Sequence, residues 1–266
     1  MKLAFIGGGV MGEAIIAGVL GKGLAQPSDV AVCEIVPPRR DYLSQTHGVT
    51  VTESALEAAV RADVVVLAVK PQEFADTAKG LAGALKPGQT VMSIMAGVTI
   101  SGIQAALGHQ AVVRAIPNTP AQISEGMTVW TATPAVTEAS REAVRGVLAV
   151  LGQEIYVADE KYVDMATAVS SSGPAYVFLV IEAMIDAAVH IGLRREMATA
   201  MVIQTVLGSA RYAQATGKHP ADLRNQVTSP GGTTTEGLRV LENAGLRAAF
   251  MEAIAAAYDK ARLLGG

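Results

Sequence analysis

The stretch LAFIGGGVMGEAI, residues 3–15, decides how the chain is read. Four apolar residues run straight into three glycines, and an Ala- and Ile-rich helical pattern follows without a break. That order is strand, tight turn, helix. Gly7, Gly9 and Gly12 stand in G-x-G-x-x-G spacing. The spacing alone is a weak signal; the strand before it and the helix after it give it meaning. Gly7 serves the tight turn, Gly9 lets the backbone approach a pyrophosphate, and Gly12 lets helix and strand pack closely. Val10 and Met11, at the helix N-terminus, offer backbone N–H groups to phosphate. The stretch predicts a dinucleotide-binding domain.

Outward from it, the first half of the chain alternates. Apolar runs at residues 30–33, 64–69, 91–94, 112–116 and 127–131 read as strands. Helical patterns lie between several of them, at residues 11–20, 55–61 and 74–85. Strands without a polar face, separated by helices, predict a parallel sheet covered on both sides. A helix near residues 139–151 and a strand at 154–157 close this half. From residue 160 onward the strand signals stop, and the text is Ala-rich and helical over residues 176–191, 195–216, 234–243 and 246–263. The fold class is α/β: a Rossmann-like domain over residues 1–158, then an all-helical domain over residues 159–266. The later helices are apolar nearly all round, which predicts a subunit partner.

Composition narrows the function classes. Half of the 266 residues are apolar, 17% are charged, and the net charge is −3. There is no basic run, so a nucleic-acid surface is not expected. Cys33 is the single cysteine, which excludes an internal disulfide and favours a reducing compartment, the cytoplasm. The chain opens directly on a strand pattern, with no charged n-region or cleavage site. The apolar run 176–193 is long enough to raise the question of a membrane. Glu182, Asp186 and His190 recur in it every four residues and form one polar stripe, which points to a soluble helix. No metal site is assigned to that stripe or elsewhere.

Glu34 ends the second strand, where an acid would hold the adenine-ribose diol and favour NADH. Arg39 and Arg40 pull the other way, since an arginine near this strand end can hold the 2′-phosphate of NADPH. The arginines read equally well as a solvated loop, and the choice between NADPH and NADH stays open. Ligands of open α/β sheets bind beyond the carboxyl ends of the strands. The segments carrying Val69, Lys70 and Pro71, then Ala96 and Gly97, then Asn118, are therefore placed on the nicotinamide side. Lys70 reads either as a positive charge near the reacting centre or as a rim salt bridge.

One cluster breaks the helical half: VTSPGGTTTEGL, residues 227–238. Pro230 suits the turn before a helix, and Gly231 and Gly232 remove Cβ obstruction. Thr233 and Thr234 fall in the first turn of the next helix, where N–H groups lack intrahelical partners. On residues alone this is either an anion site or an ordinary cap.

Taken together, FIGGGVMGEAI, LAVKPQ, RAIPNTPAQISEGMT, SSSGPAYVFLVIEAM and VTSPGGTTTEGLRVLE resemble the pyrroline-5-carboxylate reductases over nearly the whole chain. The last two segments are specific; the first two are shared with many dehydrogenases. The resemblance implies an oxidoreductase of proline biosynthesis that reduces the C=N bond of 1-pyrroline-5-carboxylate with NADPH or NADH. It also implies interlocking dimers that often assemble further, commonly into decamers. Ser172, Ser229, Gly231, Gly232, Thr233 and Thr234 are expected to bind substrate, with Gln226 on the cofactor side. The N–H groups of Gly232, Thr233 and Thr234 are expected to hold the carboxylate, and the Thr234 hydroxyl to face the ring nitrogen as the catalytic contact. His47, His109, His190 and His219 fall in no matching motif. The family usually reads Ser-Gly-Ser-Gly where this chain has Ser170-Ser171-Ser172-Gly173, and it more often has a small polar residue in place of Glu34.

Two rivals remain at this point. A reductase of the same build acting on β-hydroxyacids would need a lysine on the helix at 176–191, which has none; another cyclic imine would not. A non-enzymatic NAD(P) sensor would have no use for a second anion site.

Overall fold

The computed structural model describes residues 1–265. These residues form one eight-stranded sheet in the order β3-β2-β1-β4-β5-β6-β7-β8. Its strands are β1 (Leu3–Ile6), β2 (Val30–Cys33), β3 (Thr50–Thr52), β4 (Val64–Leu67), β5 (Thr90–Ser93), β6 (Val112–Ile116), β7 (Gly126–Ala132) and β8 (Gly152–Tyr156). Helices α1 (Val10–Gly21), α2 (Pro37–His47), α3 (Ala55–Ala59), α4 (Phe74–Lys79), α5 (Ile100–Leu107) and α6 (Glu138–Ala149) accompany them.

The absence of a polar face on β1 and β4 has a direct cause. Alternate side chains enter opposite cores. Leu3 and Phe5 join Ile15, Ile16 and Val19 of α1 and Trp130 on one face of the sheet. Ala4 and Ile6 join Leu67, Phe74, Leu81 and Ile103 on the other. A strand buried on both faces reads as a continuous apolar run.

The expectation of a parallel sheet is corrected at one place. β7 runs antiparallel to β6, with Ala115 opposite Trp130. The connection at residues 117–125 holds only a short 3-10 turn, Thr119–Ile123. A parallel crossover needs a dozen or more residues, so the chain reverses. β3 gave no sequence signal because it is three residues of an edge strand with threonine at both ends. Helix α2 was hidden by Pro37 and Pro38; proline is compatible with a first helical turn, where no N–H partner is needed. The helix begun at Phe74 stops at Lys79 and does not reach residue 85.

Beyond β8 the chain continues through α7 (Lys161–Ala166), a π-helical turn (Thr167–Ser171), α8 (Gly173–His190), α9 (Arg195–Thr216), α10 (Pro220–Gln226), α11 (Thr233–Asn243) and α12 (Leu246–Gly265). Two compact units are present. One holds Met1–Ser172 with the chain from Ala257 on; the other holds Gly173–Ala256. In the second unit α8 packs on α9. No residue of α8 is buried, and Phe178 and Leu179 are 60% and 65% exposed. The helical run Lys161–His190 is long and apolar enough to cross a membrane, an 18-residue window of it having mean hydropathy 1.5. Within its polar stripe, Asp186 pairs with Arg195 at 2.9 Å.

Candidate functional site

In the sheet unit, the strand order reverses between β1 and β4, and the loops after these two strands open a crevice there. A cavity of about 600 Å³ occupies it, lined by Gly7, Gly9, Glu34, Ile35, Val69 and Lys70 among others. Such a reversal point is where open α/β sheets take their ligands.

The glycine loop has the shape of a phosphate cradle. Gly7 has φ +102, and a Cβ on it would lie 2.7 Å from the Ala68 carbonyl oxygen; only glycine fits. Its N–H donates to the Cys33 carbonyl at 2.8 Å, locking the turn onto β2. A Cβ on Gly12 would lie 2.7 Å from the Gly7 oxygen, whereas one on Gly9 would meet nothing within 4 Å. The space beside Gly9 is therefore open, on the side that lines the cavity. Gly9 caps α1 without any side-chain bond, so the Val10 and Met11 N–H groups at the helix N-terminus are left for an anion. These residues fit a dinucleotide pyrophosphate.

Glu34 stands beside the loop. One carboxylate oxygen accepts the Gly8 N–H at 3.0 Å and the other accepts the Val36 N–H at 2.9 Å. The two arginines are not in a solvated loop, as the sequence allowed; they lie on α2. The Arg39 Nε donates to the Gly8 carbonyl at 2.7 Å, and its guanidinium pairs with Glu13. Arg40 donates to the Glu34 and Ile35 carbonyls and pairs with Glu53. Glu13 also meets His47 at 3.0 Å. Burial pushes the Glu13 carboxyl up, but hydrogen bonds from Arg39, His47 and Tyr42 outweigh it and hold it below its ordinary value. Burial, aided by the Glu34 charge, pushes the Cys33 thiol up.

Of the expected nicotinamide-side residues, Val69 and Lys70 line the cavity and Pro71 opens the next turn. Ala96 instead packs with Ile116, Val129 and Val163. Gly97, at φ +73, is covered by Leu264, whose Cβ lies 2.7 Å from where a Gly97 Cβ would be. Sequence reasoning placed Asn118 at this end but missed its role. Its Nδ2 donates to the Ser170 carbonyl at 2.9 Å and its Oδ1 accepts the Met127 N–H at 3.0 Å. Ser172 ends the π-helical turn, its N–H bonded to the Thr167 carbonyl at 2.9 Å. Single-turn π segments often mark functional sites, and nothing in the sequence announces one.

In the helical unit, Gly231 turns at φ +67, and Gly232 caps α11 in an extended conformation with no side-chain bond. One expectation is corrected here. The Gly232 N–H donates to the Ser229 carbonyl at 3.1 Å, so it is committed to the turn. Thr235, not Thr233 or Thr234, fastens the turn, its hydroxyl donating to the Ser229 carbonyl at 3.0 Å. Among the described residues, the Thr233 and Thr234 N–H groups have no acceptor. The cluster is therefore a helix N-terminus with two open donors and no threonine cap. Gln226 is exposed at the end of α10.

Comparison with known proteins matches residues 160–264 to the family described as pyrroline-5-carboxylate reductase dimerisation. Residues 2–97 match the family described as NADP oxidoreductase coenzyme F420-dependent. A pyrroline-5-carboxylate reductase of Synechocystis is 42% identical over 266 residues, covering 100% of this chain and 98% of the relative. The structure of a pyrroline-5-carboxylate reductase from Coxiella burnetii superposes with TM-score 0.90 at 36% identity, covering 100% and 98% of the two chains. That of Plasmodium falciparum pyrroline carboxylate reductase with NADP bound superposes with TM-score 0.91 at 29% identity, again over 100% and 98%.

Proposed function

The chain belongs to the pyrroline-5-carboxylate reductase family, and on that premise we propose how its residues divide the work. It reduces 1-pyrroline-5-carboxylate to proline with NAD(P)H, binds NADP(H), and self-associates. Residues 1–158 hold the cofactor, and residues 159–266 carry the dimer contacts and the substrate site. The cofactor lies along Gly7, Gly9, Val10, Met11 and Gly12, with Glu34 at its adenine end and Val69, Lys70 and Pro71 toward its reactive end. The exposed apolar positions of α8 and α9 are covered by a second copy, and dimers can assemble further. The enzyme works in solution in the cytoplasm.

The observation that carries the substrate site is the pair of open N–H donors at Thr233 and Thr234. The substrate carboxylate accepts both, favoured by the positive end of α11. Ser172 and Ser229 add hydroxyl contacts. The Thr234 hydroxyl then faces the ring nitrogen. Bound NAD(P)H supplies the hydride that adds to the C=N carbon, and the nitrogen carries one proton into the product. A protonated C=N is the better electrophile, so a residue that stabilises the N–H form there speeds the reaction. Holding the ring in place carries much of the remaining rate.

The test exploits the position of Thr233 as the first residue of α11. Proline is tolerated there and removes the N–H along with the hydroxyl, whereas alanine removes the hydroxyl alone; Gly232 before it is already extended. Thr233→Pro should raise KM for pyrroline-5-carboxylate about 10- to 150-fold, the worth of one hydrogen bond to a charged group. Thr233→Ala should raise it far less, and dinucleotide affinity should hold in both. Equal effects of the two substitutions would mean that the N–H is not used.

A further inference from the structure

Resting on the reading of the cavity as the cofactor site, we propose that Glu34 makes this chain discriminate against a 2′-phosphate, so that it binds NADH more tightly than NADPH. The carboxylate is held in place rather than swinging in solvent, since each oxygen accepts one backbone N–H, from Gly8 and from Val36. A carboxylate has about four acceptor positions; two are filled, and two remain for the paired hydroxyls of an adenine ribose. A phosphate in place of one hydroxyl would set two anions side by side.

Among the described residues that line the cavity, no arginine stands to offset that repulsion. The arginines that could hold a phosphate are committed elsewhere. Arg39 binds the Gly8 carbonyl and Glu13, and Arg40 binds two carbonyls of the β2–α2 turn and Glu53. Neither arginine lines the cavity, whereas Glu34, Glu73 and Asp76 do, against the single cation Lys70. Lys70 follows β4, and on the proposed reading it stands toward the reactive end of the cofactor, not at the adenine ribose. The guanidinium groups support the turn that presents Glu34, so they reinforce the preference instead of reversing it.

The test is equilibrium binding of NADH and NADPH to the intact protein, followed by nucleotide fluorescence. 5′-AMP and its 2′-phosphorylated form serve as competitors that report the adenine end alone. The Kd for NADPH should exceed that for NADH by about tenfold or more, the low end of a like-charge contact between a water-like and a near-surface dielectric. Glu34→Ser and the shape-preserving Glu34→Gln should each bring the ratio close to one, mainly by tightening NADPH. A native ratio at or below one, or a ratio unchanged in both variants, overturns the proposal. A loss of NADPH binding alone in Arg40→Ala also overturns it, because that guanidinium would then be serving the phosphate. Failure of either nucleotide to bind would instead overturn the reading of the cavity itself, and this proposal with it.

Discussion

Asn118 carries Ser170: its amide nitrogen donates to the Ser170 carbonyl over 2.9 Å while its amide oxygen takes the Met127 N–H over 3.0 Å. One side chain thus ties the end of β6 and the start of β7 to the π-helical turn that leads into Ser172. Asn118→Ala leaves both backbone groups without their partner, at about 1–3 kcal/mol for each one that water cannot reach. Asn118→Asp keeps an acceptor for Met127 but turns an oxygen toward the Ser170 carbonyl. Both variants should melt at lower temperature and lose substrate affinity. A normal KM in the aspartate variant would show that Ser172 does not depend on this tie.

Thr234→Ala keeps the backbone donor and removes only the hydroxyl. If that hydroxyl meets the ring nitrogen in the transition state, kcat should fall roughly 10- to 150-fold. If it binds ground and transition states alike, KM should rise and kcat hold. Gly232 caps α11 and Thr234 makes no side-chain cap, so the melting temperature should barely move. A large loss of stability with near-normal kinetics would remove Thr234 from the site.

Arg114 is 1% exposed and pairs with Glu160 at 2.8 Å and Asp164 at 2.6 Å. Its removal leaves two carboxylates without their shared cation. Breaking one side of a buried pair costs about 3–5 kcal/mol. Glu160 and Asp164 keep 30% and 21% of their side chains in contact with solvent, so the lower end applies to Arg114→Ala. Chemical denaturation measures it, and a loss under about 1 kcal/mol would class the pair with ordinary surface bridges.

Glu13 predicts an acid-side stability change. Its pKa is lower folded than unfolded, so its contribution is present above its ordinary pKa of 4.5 and is lost as pH falls through the folded value. Glu13→Gln should therefore narrow its gap to the native protein as pH drops below 4.5. Melting curves at neutral pH and at about pH 3.5 decide it; an equal gap at both would mean that the ion pair with Arg39 contributes nothing.

Leu179 is 65% exposed on α8, within an apolar groove shared with Phe178, Ile181 and Ile185. Leu179→Glu should place a charge in the proposed subunit contact and shift the protein toward monomers in light scattering. An unchanged particle mass would move the contact to another face.

The Rossmann half was legible because its signals are local. LAFIGGG encodes strand and turn within seven residues, and the apolar runs at β4 and β6 follow from burial on both faces. The helices of the second half were legible for the same reason, and α9 spans Arg195–Thr216 as the pattern predicts. The short edge strand β3 and the proline-headed α2 were not, since each depends on neighbours for support. The resemblance carried the proposed reading of the cluster at residues 227–238, where residues alone left an anion site and a plain cap level.

The sequence by itself determined the fold class, the place of the glycine loop and the helical character of the C-terminal half, because periodicity and glycine spacing act between near neighbours. Tertiary structure alone decided what Arg39 and Arg40 do. From α2 they reach Glu13, the Gly8 carbonyl and Glu53, groups distant along the chain. A guanidinium takes whichever acceptor the fold brings within hydrogen-bond distance. The same holds for Gly232, whose N–H is taken by Ser229 only once Gly231 has turned at φ +67. Which donors remain open at Thr233 and Thr234 is thus a property of that turn's geometry, which residue type alone does not encode.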